Sequence, residues 1–309
     1  MVKHPFSTGM KKYISGVDST LDIENFESSA LLAANDVKEI ISPAMYDAII
    51  SNMNTPPQEN IAEWTEVLEL LRYAMAPFTL YKHFIWLQLR VSNNSITTYK
   101  SQDETTAFKY QTDEGKESLL NFYAASLKEL IDYLETKKDL FTAWSNCTQR
   151  TEVQALLIKD YREFDRVFNG EGDAAFFYRS RHIQKEIQDD ELKQHVGAIT
   201  AETPEATKNK LKRALVYFTL ARCIVEWDYT FLPAPIKRTI NNEHSLKSGK
   251  EIDNVKERVS AKFRNMGESW LQKIDLKIEA DKQAVEIPAH DIEMGTFKNT
   301  NDDKHVLMM

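Results

Sequence analysis

The chain has 309 residues, 42% of them hydrophobic and 28% charged, with a formal net charge of -8 at pH 7. Such a length suits one large or two ordinary globular domains whose core needs no staples. The acidic total argues against nucleic-acid binding as the main task, since neutralising phosphates takes clustered Lys and Arg, and it leaves room only for a local basic patch.

The opening stretch, MVKHPFSTGMKKYISG, has no apolar run of the secretory kind, and residues 1–20 read as a polar, extended N-terminal arm. From Asp22 to Ala34 acidic residues give way to apolar ones, as at a helix N-terminus. Ser42-Pro43 reads as N-cap and first helical position of a short helix carrying Met45, Ile49 and Met53 on one side. Asn54–Gln58 (NTPPQ) breaks the chain. A long helix is expected from Ile61 to about Val91, with Pro77 inside it as a kink. Ser92–Asp113 is richer in Thr, Tyr, Ile and Phe, and SITTYK and TAFKYQT predict a β-hairpin or two short strands near 95–112. A helix over Asp113–Lys137 closes the first module, 21–140.

The second module, 141–285, begins with a connector, Phe141–Asp165, and an amphipathic stretch, Asp173–Gln188. A short helix, a break (AETPEAT) and a long helix from about Glu205 to Phe231 follow. LPAPIKRTINNEHSLKSGK then stands where the first hairpin stood, and a helix runs over Asp253–Asp281. Residues 286–309 read as a loose C-terminal arm.

The two modules repeat one another. LRYAMAPFTLYKHFIWL (71–87) overlays LKRALVYFTLARCIVEW (211–227), matching Leu71 with Leu211, Ala74 with Ala214 and Phe78-Thr79-Leu80 with Phe218-Thr219-Leu220. The closing helices pair at the same spacing, Leu119 with Val259 and Leu134 with Ile274. The expected fold is therefore mainly α, with two similar helical, adaptor-like modules produced by internal duplication, each holding a long helix and an extended or β-hairpin insert. The alternative is one irregular α-domain whose helices share generic patterning. Only nine glycines and nine prolines, and apolar stretches interrupted by charges too early to cross a bilayer, agree with a helical protein away from the membrane.

Chemistry is sparse. Neither G-x-x-x-x-G-K nor G-x-G-x-x-G occurs, and Gly170-Glu171-Gly172-Asp173 reads as a turn before a helix because its carboxylates would repel a phosphate. H-E-x-x-H and E-x-x-H are absent, so the i,i+4 pairs His182/Glu186 and Glu191/His195 read as surface pairs before they read as metal ligands. Cys147 and Cys223 form no C-x-x-C and point to a reducing setting. His83 aligns with Cys223 as a half-buried packing position, and Trp144 has a packing role between modules. No cofactor or metal is expected.

W-x-x-x-L-x-L-L-x-x-A at Trp64–Ala74, A-F-K-Y-Q ending at Gln111, NFYAASLKELIDYLE at 121–135, and Phe176-Phe177-Tyr178-Arg179-Ser180-Arg181 resemble a family encoded by Bacteroidetes phages and prophages, including crAss-like phages. The likeness covers about residues 25–285. Its members are taken to be head–tail connector (adaptor or ring) proteins of tailed phage virions. The resemblance implies a homo-oligomeric ring, expected to be a dodecamer, made in the host cytoplasm and built into the neck of the particle. One face would bind the portal protein and the other a downstream ring or tail protein, with DNA only as passing cargo. Partner contacts are expected from the hairpin residues Ile96, Tyr99, Phe108 and Tyr110, and from Phe297, Val306, Leu307, Met308 and Met309 in the arm. Two rival readings stay open: a helical metal-dependent enzyme using His182, Glu186, Glu191 and His195, and a cytosolic scaffolding or regulatory module.

Overall fold

The computed structural model describes residues 4–6, 10–14, 26–91, 96–98, 109–200, 203–245 and 252–286. Helix α1 (Glu27–Ile41) buries Ala30, Ala33, Val37 and Ile40 at i,i+3/i+4 spacing, and continues to Ile41 because that stripe does. Ser42 turns the corner with φ at 78°, a conformation costing about 1 kcal/mol or more for a residue with a Cβ. Its hydroxyl offsets part of that cost by accepting from the Met45 N–H at 3.1 Å, capping α2 (Pro43–Ser51) with Pro43 in the first turn.

Helix α3 (Ile61–Gln88) runs through Pro77 without ending. Proline removes one donor from the ladder, but Ala74, Met75, Ala76, Phe78 and Thr79 around it are all buried, and that packing holds the helix together. Strands β1 (Leu89–Val91) and β2 (Ile96–Thr98) form an antiparallel ribbon in which Leu89 faces Thr98 and Val91 faces Ile96. The described ribbon starts earlier than the expected hairpin, and helix α4 (Lys109–Thr136) already includes Lys109–Thr112 of the second expected strand. β-propensity is a weak, context-dependent preference. Here it loses to pairing of α4 with α3, where the Lys116 ammonium stands 5.3 Å from the Phe84 ring centre.

Helices α5 (Thr142–Ser145), α6 (Thr148–Gln154) and α7 (Tyr161–Val167) form the connector. The expected amphipathic stretch is two helices, α8 (Ala174–Arg179) and α9 (Arg181–Asp189), broken at Ser180. Helix α10 (Lys193–Gly197) leads to α11 (Glu205–Glu226), which stops earlier than expected: Trp227 is extended, and Asp228 caps a 3-10 turn over Tyr229–Phe231. Where the first half has a ribbon, the second has helix α12 (Ala234–Ser245), with Ile236 and Ile240 buried one turn apart. Helix α13 (Ile252–Glu286) ends the described chain. No described helix is long and apolar enough to cross a membrane.

Two antiparallel helical hairpins dominate. Lys137 at the end of α4 pairs with Glu63 at the start of α3, and the rings of Phe78 and Tyr123 stack at 4.2 Å between them. In the second hairpin Lys256, early in α13, donates to the Trp227 carbonyl just past α11, while Lys210 near the start of α11 donates to the Lys273 carbonyl. Buried side chains from both halves belong to one continuous hydrophobic cluster. The N-terminal stretch is pinned to α3: Phe6, Met10, Tyr13 and Ile14 are buried, Arg72 donates to the Pro5 carbonyl at 3.0 Å, and Lys12 and Tyr13 both donate to Glu69.

Gly267 lets α11 and α13 approach. A Cβ there would stand 2.9 Å from an edge carbon of the buried Phe218 ring. Alanine usually stabilises a helix by about 1 kcal/mol over glycine, but overpacking costs about 1–3 kcal/mol. Gly267→Ala is therefore expected to destabilise the protein in urea unfolding, and a stabilised variant would contradict the close approach.

Candidate functional site at the joint of the two halves

The joint starts from a turn. The Asp165 carboxylate accepts from the Gly170 and Gly172 N–H groups at 2.7 and 3.0 Å. Gly172 takes φ at 70°, as glycine readily does. The turn delivers Asp173, which caps α8 by accepting from the Phe176 N–H at 2.8 Å. Phe176, Phe177 and Tyr178 are all buried, and they carry Arg179 inward, leaving its side chain 12% exposed. The Arg179 guanidinium lies 4.5 Å from the centre of the Phe231 ring and donates to the Tyr123 hydroxyl at 3.3 Å. Its nearest carboxylate is Asp36 of α1 at 3.9 Å, which Lys82 of α3 also holds at 2.9 Å. Lys237 of α12, 7% exposed, completes the set. Asp173, Arg179, Lys237, Tyr123 and Phe231 line an inner cavity of about 40 Å³.

Burial pushes the Asp173 carboxyl above its ordinary range, against the pull of the Phe176 N–H, Arg179 and Lys237. Burial likewise pushes the Lys237 ammonium down, with Asp173 pulling it back. The buried Tyr123 phenol is pushed up to about 12. Outside this knot lies a cleft of about 540 Å³, lined among others by Glu39, Arg181, His182 and Trp227. There Arg181 is taken by Glu152 at 2.7 Å, and the His182 ring lies flat to Trp227 with centroids 6.4 Å apart. The Asp228 carboxyl is held below its usual range by hydrogen bonds from the Thr230 side chain and backbone N–H. The arrangement can clamp α1, α3, α4, α8 and α12 to one another, with stacked rings and both signs of charge at its mouth.

A protein-family model matches residues 37–154 and 176–281, most of the chain, and its description is a family of unknown function. The chain belongs to the DUF6712 family. The second matched segment opens at Phe176, inside α8, so the unmatched stretch between the segments holds α7 and the turn that presents Asp173. No curated protein and no solved structure matches the chain.

In this DUF6712 chain two of the partner-contact residues expected from sequence lie on described elements. Ile96 lies in β2 and Tyr110 in the first turn of α4. Tyr99, Phe108, Phe297, Val306, Leu307, Met308 and Met309 lie outside the described residues. Three of the four residues of the metal reading are spread among other partners. Glu186 pairs with Arg222 at 2.5 Å, Glu191 pairs with Arg264 at 3.3 Å, and His182 stacks on Trp227. Among the described residues no three His, Cys, Asp or Glu stand together as metal ligands would. Burial pushes both the Cys147 and Cys223 thiols up, away from the reactive thiolate.

Sequence reasoning missed Asp173, Arg179 and Lys237 as a set. A signal was present for two of them: Arg179 follows three aromatics, and Lys237 sits between Ile236 and Ile240 on an apolar stripe. A cation in such a stretch must find partners inside, because an unpaired buried charge is too costly.

Proposed function

We propose that this DUF6712 chain is a structural head–tail connector (adaptor or ring) protein of a tailed phage virion, forming a homo-oligomeric ring between portal and tail that extends and seals the DNA channel. Its mechanism is binding. The observation that supports it most is where the resembling segments fall. Phe176–Arg181 forms the joint of the molecule, and Trp64–Ala74 holds the buried Val67, Leu68, Leu71 and Ala74 of α3. The likeness thus concerns residues that set architecture, and the charges of the joint are spent within the chain, as suits a rigid assembly part.

The same reading includes an internal duplication. Residues 140 apart on α3 and α11 are buried alike: Leu71 and Leu211, Ala74 and Ala214, Met75 and Leu215, Phe78 and Phe218, Thr79 and Thr219. One turn on, Lys82 pairs with Asp36 of α1, and its counterpart Arg222 pairs with Glu186 of α9. The helix two before the long one, α1 in the first half and α9 in the second, is thus tied to it by an ion pair at the same place on the long helix.

The test is peptide mass spectrometry of gradient-purified virions of the source phage, with copy number taken against the portal. About one copy per portal subunit is the expected result. Abundance in infected cells with none in particles would overturn the reading in favour of the scaffolding or regulatory module. Deleting 286–309 is expected to leave the melting curve unchanged and to lower the yield of infectious particles; full infectivity would remove the arm from the partner contacts.

A further inference from the structure

The outer faces of α4 and α13 occupy equivalent places 140 residues apart and carry opposite charge. On α13, Arg258, Lys262, Asn265, Met266, Ser269 and Lys273 are exposed and recur every three or four residues, so they share one face along a shallow groove of about 660 Å³. Glu257 and Glu268 fall on its flank and Asp253 on the far side, leaving the face itself free of acid over this span. Among the described residues none of Arg258, Lys262 and Lys273 forms an ion pair with a carboxylate. Lys273 lies instead 4.1 Å from the Trp270 ring centre, and Arg213 of α11 lies 4.7 Å from the same ring.

The equivalent face of α4 has Glu114, Ser118, Phe122, Ala125 and Glu129, all exposed. Each face carries one large exposed apolar side chain, Phe122 at 40% and Met266 at 37%. The division extends to the whole halves. Residues 21–140 hold 10 Lys and Arg against 19 Asp and Glu, whereas 141–285 hold 24 against 22.

We infer that the α13 face of one copy docks on the α4 face of a second copy. The occupant is another copy because the complementary acids lie on the matching helix of the same chain. Phe122 and Met266 supply an apolar centre with a charged rim, the usual anatomy of a protein–protein contact. A contact between two different faces repeats head to tail and closes into a ring when the rotation allows. The inference rests on the ring reading and assigns it a surface.

The test uses the full chain in sedimentation velocity over a range of salt. One variant carries Arg258→Glu with Lys262→Glu, the other Glu114→Lys with Glu129→Lys. Wild type is expected to self-associate, less so as salt screens the contact. Each variant alone then sets like charge against like and should associate roughly tenfold or more weakly. An equimolar mixture restores opposite charges at every contact in an alternating array and should recover wild-type association. Variants that associate like wild type, a mixture that fails to recover, or a wild type that stays monomeric would each overturn the inference. So would retardation of a DNA duplex by wild type that Arg258→Glu with Lys262→Glu abolishes, which would make the face a phosphate contact. Unchanged melting curves would show that the exposed substitutions leave the fold intact. The connector reading fails separately, if the chain is absent from virions while self-association responds as expected.

Discussion

Arg179→Ala is expected to lower stability by about 3 kcal/mol, because removing one partner from a buried charge set leaves the rest uncompensated. Arg179 is 12% exposed and faces Asp36 at 3.9 Å. Asp36 keeps Lys82, and Asp173 keeps the Phe176 N–H and the field of Lys237. The loss should therefore stop short of the largest values for buried pairs. Arg179→Lys should fall between, keeping the charge but losing the planar contact with Phe231. The pH dependence gives a second readout. In the fold the Asp173 carboxyl is already raised by burial, so the folded state binds its proton more tightly than the unfolded state. Stability from this group is present at low pH and is lost as pH rises through the raised value. Without Arg179 the carboxyl rises further. The deficit should then be greatest near neutrality and shrink as the pH falls and Asp173 takes up its proton. Urea unfolding at several pH values measures both effects. A deficit under about 1 kcal/mol, typical of an exposed ion pair, or one that stays flat with pH, would remove Arg179 from the knot.

The helices were legible because their stripes are local. Ala30, Ala33 and Val37, or Leu71, Met75 and Phe78, announce a buried face by spacing alone, and Ser42-Pro43 announces a cap. What failed was decided by partners distant in sequence. Lys109–Thr112 has strand-like composition but lies at the head of a helix that pairs with α3. Nothing local in TAFKYQT reveals that pairing. Trp227 ended α11 before Phe231 because Asp228 caps a new turn and Phe231 is needed over Arg179. The joint was the least legible part for the same reason. Asp36, Tyr123, Arg179 and Lys237 come from four helices, and only their individual burial, not their meeting, is written in local patterns.

Trp144→Ala is expected to be the most damaging single core substitution, costing about 3–5 kcal/mol. Trp144, on the short helix α5, is fully buried. Its indole N–H donates to Glu135 Oε1 at 3.1 Å, and its ring lies 5.9 Å from that of Tyr178 in α8. It therefore links the end of the first half to the start of the second, as its place in the connector led one to expect. Glu135 is also held by Arg150 at 2.9 Å, so truncating the indole leaves a cavity but no unpaired carboxylate. Trp144→Phe separates these contributions. It refills most of the space and deletes the hydrogen bond, for an expected loss of about 1–2 kcal/mol. Because one hydrophobic cluster spans both halves, either variant should shift a single cooperative transition, followed by circular dichroism in urea. If instead Trp144→Ala lowers only the first of two resolved transitions, the halves unfold independently and Trp144 belongs to one of them alone. A loss below about 1.5 kcal/mol would likewise be too small for a side chain filling the seam, since large-to-small changes at tightly packed sites cost more.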